Sequence, residues 1–482
     1  MMMDGGTITT GLPPRRAIPS SKGCGGGRRR PLAAILFGTS RRRFRAARAA
    51  ATEDHPRFGK RALFFGSYWP DRRASGAGVR TGSLLEAFLG RWGFESCAFA
   101  CPQRFNEASE RLAEELGVRC ERCELNRADR LLRLVAEDVD PDVVVFDKFP
   151  TEEAYSWIVR RAAPSALRAL DMQDSHALRL WRQRRVETTA PSKISDVVAS
   201  VPPASFEALQ RELASIHRSD LTLVCSPAEV DLLTGAWGVP ASKVCLAPFF
   251  YGKPKPEAGT RPGFDQRRGF VTIGTFLHAP NVDALRWLKQ EVWPLVGGQG
   301  FELRVFGAHL DTKAGRQVQA MHDPSSGFLV EGFAPDLSVL GEARAVLAPL
   351  RYGAGIKTKI LDGWSWGTPA CTTPIDAESL EDRGGLCVAE TAADFARDMV
   401  ALHEDRDLWE RTSRRGEERL AESFDEDRNL GVVGEAMRTK AANLRADREV
   451  DFTGQALWHD NLRCTEYFSR WVELKETNHG SS

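Results

Sequence analysis

An α/β protein built from two parallel-sheet halves is what this 482-residue sequence predicts. Three observations predict it. Apolar runs of strand length recur between segments of helical period. The runs are apolar throughout, as parallel strands covered by helices on both faces must be. The rhythm halts at a stretch rich in Pro, Gly and charge, 251–268, and then restarts. Two doubly wound halves joined in this way face each other across a cleft. Ligands of such sheets bind at the C-terminal ends of the strands.

The first half spans 60–250. ALFFGS (62–67) reads as a buried strand, and the loop YWPDRRASGAGVR follows it. Leu84, Leu85, Phe88, Leu89 and Trp92 then mark one helix face, closed by Gly93. FESCAFAC, DVVVFDKF (142–149), SALRALDM (165–172), DLTLVCS (220–226) and KVCLAPFF (243–250) supply further strands. The segment 184–210 reads as an acceptor loop, a lid or a disordered insertion.

The linker 251–268 separates this half from the second, 269–430. FVTIGTF, FELRVFG, GFLVEGF, AVLAPL, TPACTT and GLCVAE are its strands. NVDALRWLKQEVWPLV is a helix with Leu285, Leu288, Val292 and Val296 on one face and Asn281 as N-cap. TAADFARDMVALHED and DLWERTSRRGEERLAESF are amphipathic. The extension 431–482 is charged, holds one helical pattern, NLRCTEYFSRWVEL, and suggests no role.

Composition excludes several classes. The net charge of +1 gives no overall field for nucleic acid or a membrane surface. No apolar run reaches the roughly 18 residues of a membrane span. The ten cysteines include one C-x-x-C, Cys120 and Cys123, with no second pair or His cluster beside it. A zinc site is therefore not expected, and the cysteines read as reduced thiols of an intracellular protein. The segment 1–55 is different. It is rich in Arg, Gly, Ser and Ala, and up to Thr52 its one acid is Asp4. That composition predicts an organelle transit peptide, for plastid or mitochondrion, with a basic arm on a cytoplasmic protein as the alternative.

The most informative stretch is APLRYGAGIKTKILDGWSWGTP, 348–369. A strand ends, a loop with Gly353 and Gly355 follows, and Lys357 and Lys359 stand where a helix opens. A helix N-terminus is already positive, so two lysines there are unfavourable unless an anion lies between them and the amides. Glycines let that anion approach the backbone. The stretch therefore predicts a phosphate or carboxylate site; two solvated surface lysines are the alternative.

Four segments in order carry a resemblance: IGTFLHAPNVDALRWLKQEVWP (273–294), LRVFGA (303–308), the long segment 332–373, and IDAESL (375–380). With LDMQDSHALRLWRQR (170–184) and ELASIHRSDLTLVCSPAEVDLL (212–233), they resemble the retaining glycosyltransferases of family 4, group 1 glycosyl transferase-like proteins of the GT-B fold. The likeness covers about 60–430. It implies two Rossmann-like domains facing across a cleft, and transfer of a sugar, hexosyl in type, from a nucleotide-diphosphate sugar to an acceptor not identified by the sequence, with retention.

The resemblance also implies roles. Lys357 and Lys359 would neutralise the donor diphosphate as it leaves, beside Gly355. Asp362 stands where the family has a ribose-holding glutamate, and Gly353 and Ala354 stand where its front glutamate would be. Gly274 and Thr275 would meet a phosphate at a strand end, His278 would touch the donor or cap the turn, and Gly307 would let base or ribose pack on the backbone. Gly76 and Gly78 would approach the diphosphate from the first half, with Arg80 adding charge. His176 would contact the donor sugar or orient the acceptor, and Asp174 would hold it. A helix over 408–424 would cross back to the first domain. No metal and no cofactor besides the donor are implied; DVD (138–140) precedes a strand instead of following one. Phosphate-loop, serine-elbow and zinc-protease motifs are absent from the sequence. The alternatives are a non-catalytic GT-B scaffold that binds a glycan or nucleotide sugar, and a sugar-nucleotide epimerase.

Overall fold

The computed structural model describes residues 58–479 apart from 190, 253–260, 297–298, 335 and 381–384, with the backbone alone for 460–462, 478 and 479. The expected transit peptide and residues 253–260 of the expected linker lie outside the described residues. Two parallel sheets form the frame. The first runs β3-β2-β1-β4-β5-β6-β7. Its strands are β1 (Arg61–Phe65), β2 (Ser96–Cys101), β3 (Arg119–Arg122), β4 (Val143–Asp147), β5 (Leu167–Asp171), β6 (Leu221–Val224) and β7 (Val244–Leu246). The second runs β10-β9-β8-β11-β12-β13. It comprises β8 (Phe270–Ile273), β9 (Leu303–Phe306), β10 (Phe328–Gly332), β11 (Ala345–Ala348), β12 (Ala370–Thr372) and β13 (Leu386–Val388). The central strands are buried along their length, as continuous apolar runs require.

The helices that position the site are α1 (Gly76–Glu86), α2 (Phe149–Ala162), α3 (His176–Thr189), α4 (Glu207–Arg218), α5 (Ala279–Trp287), α6 (Thr358–Ser365), α7 (Arg406–Ser423), α8 (Glu426–Val450) and α9 (Phe452–His479). Phe64, Phe88, Trp92 and Phe94 share one buried cluster of the first domain. Trp364 of α6 is fully buried in the second, and its indole donates to the Gly385 carbonyl at 3.1 Å. A side chain at Gly416 of α7 would come within 2.4 Å of that indole, so glycine there lets α7 lie on α6.

Four expectations change. β3 was not foreseen, because Arg-Cys-Glu-Arg at a sheet edge is half-exposed and carries no apolar pattern. Asn281 is not the N-cap of its helix; α5 opens at Ala279 behind His278. The helix that crosses back is α8, not 408–424. α7 stays on the second domain, where Trp409 meets Phe264 with ring centroids 5.8 Å apart. The crossing falls at Phe424–Glu426: Tyr251 N–H donates to Phe424 O at 2.8 Å, and Glu426 N–H donates to Tyr251 O at 3.1 Å. The outgoing and returning chains thus pair at one point. α8 then buries Leu430, Val433 and Met437 in the cluster that holds Phe88 and Trp92. Finally, within 184–210 the described residues after 190 pack as a strap on the second domain. Ile194 and Val197 are buried in the core of the second domain, and Ser195 N–H donates to Glu390 at 3.0 Å.

The extension 431–482 completes the first domain. α9 lies against α2 and α4. Trp458 is its buried anchor: the indole donates to Arg218 O at 2.6 Å, and the Arg168 guanidinium stacks 3.7 Å from its ring. Removing a buried tryptophan typically costs about 3–5 kcal/mol. We expect Trp458→Ala to lower stability in urea denaturation by that order.

Candidate functional site

The two domains meet at glycines. Gly355, in the loop between β11 and α6, has φ +67°, a conformation that favours glycine. A Cβ there would lie 2.8 Å from Cβ of Asp174 in the first domain. Gly76, at the start of α1, is the counterpart: its Cβ would lie 2.4 Å from Thr358 Cγ2 at the start of α6. Backbone therefore meets side chain across the junction with no room for another atom at either point.

Two lysines flank this contact. Lys357 occupies the N-cap position of α6, where its side chain caps nothing. Its amine turns back onto the loop, donating to Ala354 O at 2.5 Å and Gly355 O at 3.0 Å. Lys359 is buried and donates to Asn281 Oδ1 at 3.0 Å. Burial pulls its pKa down to about 8, with Asp376 opposing and Lys357 adding to the fall. Asn281 Nδ2 in turn donates to Thr275 O at 3.0 Å, so Lys359, Asn281 and the turn after β8 are one chain of hydrogen bonds. Lys359, Asn281, Gly274 and Pro349 border a small pocket at the C-terminal ends of β8 and β11.

The first domain faces them with the turn after β5. Asp174 accepts from Arg179 Nε at 2.7 Å, and His176 Nε2 stands 3.5 Å from it. Burial works against its charge, yet Arg179, His176 and His278 hold its pKa well below the usual carboxylate range. Burial drives His176 down to about 4 and His278 to about 3, with Arg179 adding to both. Both imidazoles are therefore neutral at pH 7, Asp174 is paired with Arg179, and Asp376, raised by burial to about 6 against the pull of Lys357 and Lys359, is the acid beside the two lysines. Glu212 of α4 shapes the turn by accepting from His176 N–H at 2.9 Å, Ala177 N–H at 3.0 Å and Ser175 Oγ–H at 2.8 Å. Burial lifts its pKa to about 7. Phe149 meets His176 edge-on at 5.4 Å, and the Arg211 guanidinium lies 5.5 Å from the Phe149 ring. Arg211, Gln210, Glu153 and Pro150 line a recess of about 600 Å³ that α9 borders through Cys464.

Arg182 clamps the junction. It is fully buried, forms a bidentate pair with Glu378 at 2.6 and 2.7 Å, and donates to Gly353 O at 3.0 Å and Val198 O at 2.7 Å. Nearby, the Ser226 and Ser379 hydroxyls meet at 2.5 Å.

Of the residues singled out in the sequence, Asp174, His176, Gly76, Gly355, Lys357, Lys359 and His278 come together here. Others stand elsewhere. Arg80 does not reach the cleft: it is fully buried, pairs with Asp171 at 2.8 Å, and donates to the Ala247 and Pro248 carbonyls at 2.7 and 3.1 Å. Gly78 serves packing, since a Cβ would fall 2.1 Å from Asp71 O. The Gly274 N–H is taken by Phe306 O at 3.1 Å and that of Gly307 by Gly332 O at 2.7 Å, so neither is offered to a ligand. Gly307 is instead the point where β9 passes Gly274, whose carbonyl would lie 2.2 Å from an added Cβ. Thr275 lends its carbonyl to Asn281. Asp362 accepts from the Tyr251 hydroxyl at 2.8 Å, beside the chain crossing.

Sequence reasoning missed Arg179, Arg182, Glu212, Glu229 and Glu378. The one signal available was S-x-x-E at Ser226–Glu229, the spacing of a capping box. Ser226 does cap Glu229 N–H at 3.2 Å, but the Glu229 side chain turns away to the junction.

Residues 267–405 match the family model of the glycosyl transferases group 1. No curated protein sequence matches the chain. Among solved structures, a glycosyltransferase from Rickettsia africae is similar at 10% identity and a TM-score of 0.56, over 79% of this chain and 98% of that one. Anabaena HepE, solved in complex with UDP and glucose, is similar at 11% identity and a TM-score of 0.58, over 78% and 99% of the two chains. An alpha-glucosyltransferase solved with UDP and a 13-mer DNA gives 12% identity and a TM-score of 0.51, over 79% and 100%. At such identities the likeness concerns the fold. The chain has the GT-B fold, an α/β architecture of two domains, each with its own parallel sheet.

Asp362 provides a check on the burial of the chain crossing. Burial raises its pKa from 3.8 to about 7 against the pull of the Tyr251 hydrogen bond. An acid raised in the folded state loses stability as pH climbs from its unfolded to its folded pKa. Asp362→Asn removes that loss. We expect the variant to gain about 1–3 kcal/mol on wild type between pH 5 and pH 8 in urea denaturation.

Proposed function

We propose that this chain is a retaining glycosyltransferase of family 4 that moves a sugar, hexosyl in type, from a nucleotide-diphosphate sugar, UDP-linked as in the Anabaena HepE complex with UDP-glucose, to an acceptor. One observation carries the reading: Lys357 and Lys359 converge with Gly355 at the N-terminus of α6, opposite Asp174 and His176. The donor diphosphate lies on that loop. Its charge grows as the glycosidic bond to the sugar breaks, and the lysines stabilise the growing charge. Lys357 first leaves the Ala354 and Gly355 carbonyls; charge-assisted bonds to phosphate, about twice as strong as neutral ones, offset that loss. Lys359 gains affinity for its proton as the dianion arrives.

Asp174 and the neutral His176 touch the donor sugar or the acceptor hydroxyl. The acceptor approaches from the first domain, along the recess by Phe149 and Arg211. Retention follows from attack on the face the diphosphate leaves, with the phosphate taking the acceptor proton. No group is assigned as an enzymic nucleophile, and no metal is assigned. Segment 1–55 acts as the organelle transit peptide.

The second reading is the non-catalytic scaffold. It is favoured by the self-satisfied state of the residues expected to hold the donor: Lys357, the Gly274 N–H and Asp362 all have partners within the protein. One experiment separates the two. Thermal stabilisation is measured with UDP, GDP, ADP and their sugars, followed by nucleotide release. We expect one nucleotide family to stabilise the protein and the Lys357→Ala, Lys359→Ala double variant to lose the shift. Turnover in that variant should fall by about 10²-fold or more. Stabilisation without turnover in wild type selects a scaffold that binds a nucleotide sugar, and no stabilisation by any nucleotide contradicts the transferase and leaves the glycan-binding scaffold.

A further inference from the structure

Glu229 lies in a short helix, Pro227–Asp231, that follows β6. It is buried, 2% exposed. One carboxylate oxygen, Oε1, accepts from two backbone N–H groups: Ser175 of the first domain at 3.0 Å and Gly355 of the second at 2.7 Å. The other oxygen, Oε2, is buried and has no hydrogen-bond partner among the described residues. A buried carboxylate that ends with one oxygen unpaired is unfavourable, and its position calls for a reason.

The reason is in what it joins. Ser175 stands between Asp174 and His176. Gly355 is the left-handed residue of the lysine-bearing loop. The other end of that loop is also held by the first domain, through the Arg182 bond to Gly353 O. When the domains separate, the Gly355 N–H loses its partner and the φ +67° turn loses its anchor.

We propose that Glu229 is a positioning residue that docks the glycine loop of the second domain onto the Asp174–His176 turn of the first, so that the loop takes its diphosphate-binding shape when the domains are together. This deepens the donor-site reading above and rests on it. Donor affinity and domain closure are then one equilibrium, to which Glu229 contributes beside the Arg182 clamp on Gly353 O. Glu229 touches no reacting atom; it acts through Gly355.

The test uses the full chain and backbone hydrogen exchange. Glu229→Ala removes the acceptor, Glu229→Asp draws it back by one methylene, and Glu229→Gln keeps an acceptor of the same reach. In the ligand-free protein, exchange in peptides covering 350–358 should rise at least about tenfold in Glu229→Ala and Glu229→Asp. It should stay within about threefold of wild type in Glu229→Gln. The UDP dissociation constant should weaken by about tenfold in the Ala variant and recover in the Gln variant. Should the Ala variant fail to fold, the Asp variant carries the comparison. Unchanged loop exchange in a folded Ala or Asp variant, or no recovery with Gln, overturns the proposal. If wild type binds no UDP, the donor-site reading fails by itself, while exchange still decides whether Glu229 docks the loop.

Discussion

Everything at this junction depends on glycine backbone being able to approach the side chains of the opposite domain. A Cβ at Gly355 or at Gly76 would collide with the opposite domain. Interdomain surfaces are commonly polar and loosely fitted, and domain motion is their default. This one is different. Buried groups with few alternatives hold it: Arg182 on Glu378 and Gly353 O, Glu229 on Ser175 and Gly355, and paired serine hydroxyls. Breaking a buried ion pair by removing one partner typically costs about 3–5 kcal/mol, because the other charge is stranded. The chain crossing adds a mechanical tie, with Tyr251 paired to the strand of chain that returns as α8.

Charge at the junction is sorted by burial. The imidazoles of His176 and His278 are pushed neutral, Asp174 is kept ionised by Arg179, and Lys359 is left with a lowered pKa of about 8. Lys357 adds to the fall of the Lys359 pKa and Asp376 opposes it, which is the electrostatic ground for the anion site proposed above. Under that proposal, the hydrogen bonds that Lys357 makes to its own loop are what the anion would replace.

Much of this was legible in the sequence. The strands were visible as unbroken apolar runs, and the lysine loop was visible because cations at a helix start need an explanation. Leu285, Leu288, Val292 and Val296 are buried together, as their spacing implied. Other features were not legible. β3 is too polar and too exposed to show a pattern. Arg80 and the junction residues are charged side chains, and sequence does not tell a buried, paired arginine from a solvated one. Arg80 read as a cleft cation and proved to be a core group. Arg182 went unnoticed and proved to be the clamp. The partners lie far apart in the chain, as Glu229 and Gly355 do with 126 positions between them, so only the fold brings them together.

The most direct measurement is a crystal structure of the chain grown with UDP. The account predicts the diphosphate on the Gly353–Lys357 loop, with Lys357 Nζ released from the Ala354 and Gly355 carbonyls and bonded to phosphate oxygen, and with Asp174 and His176 facing the open side. A diphosphate bound elsewhere, or a Lys357 amine still folded onto its own loop beside bound UDP, would contradict it.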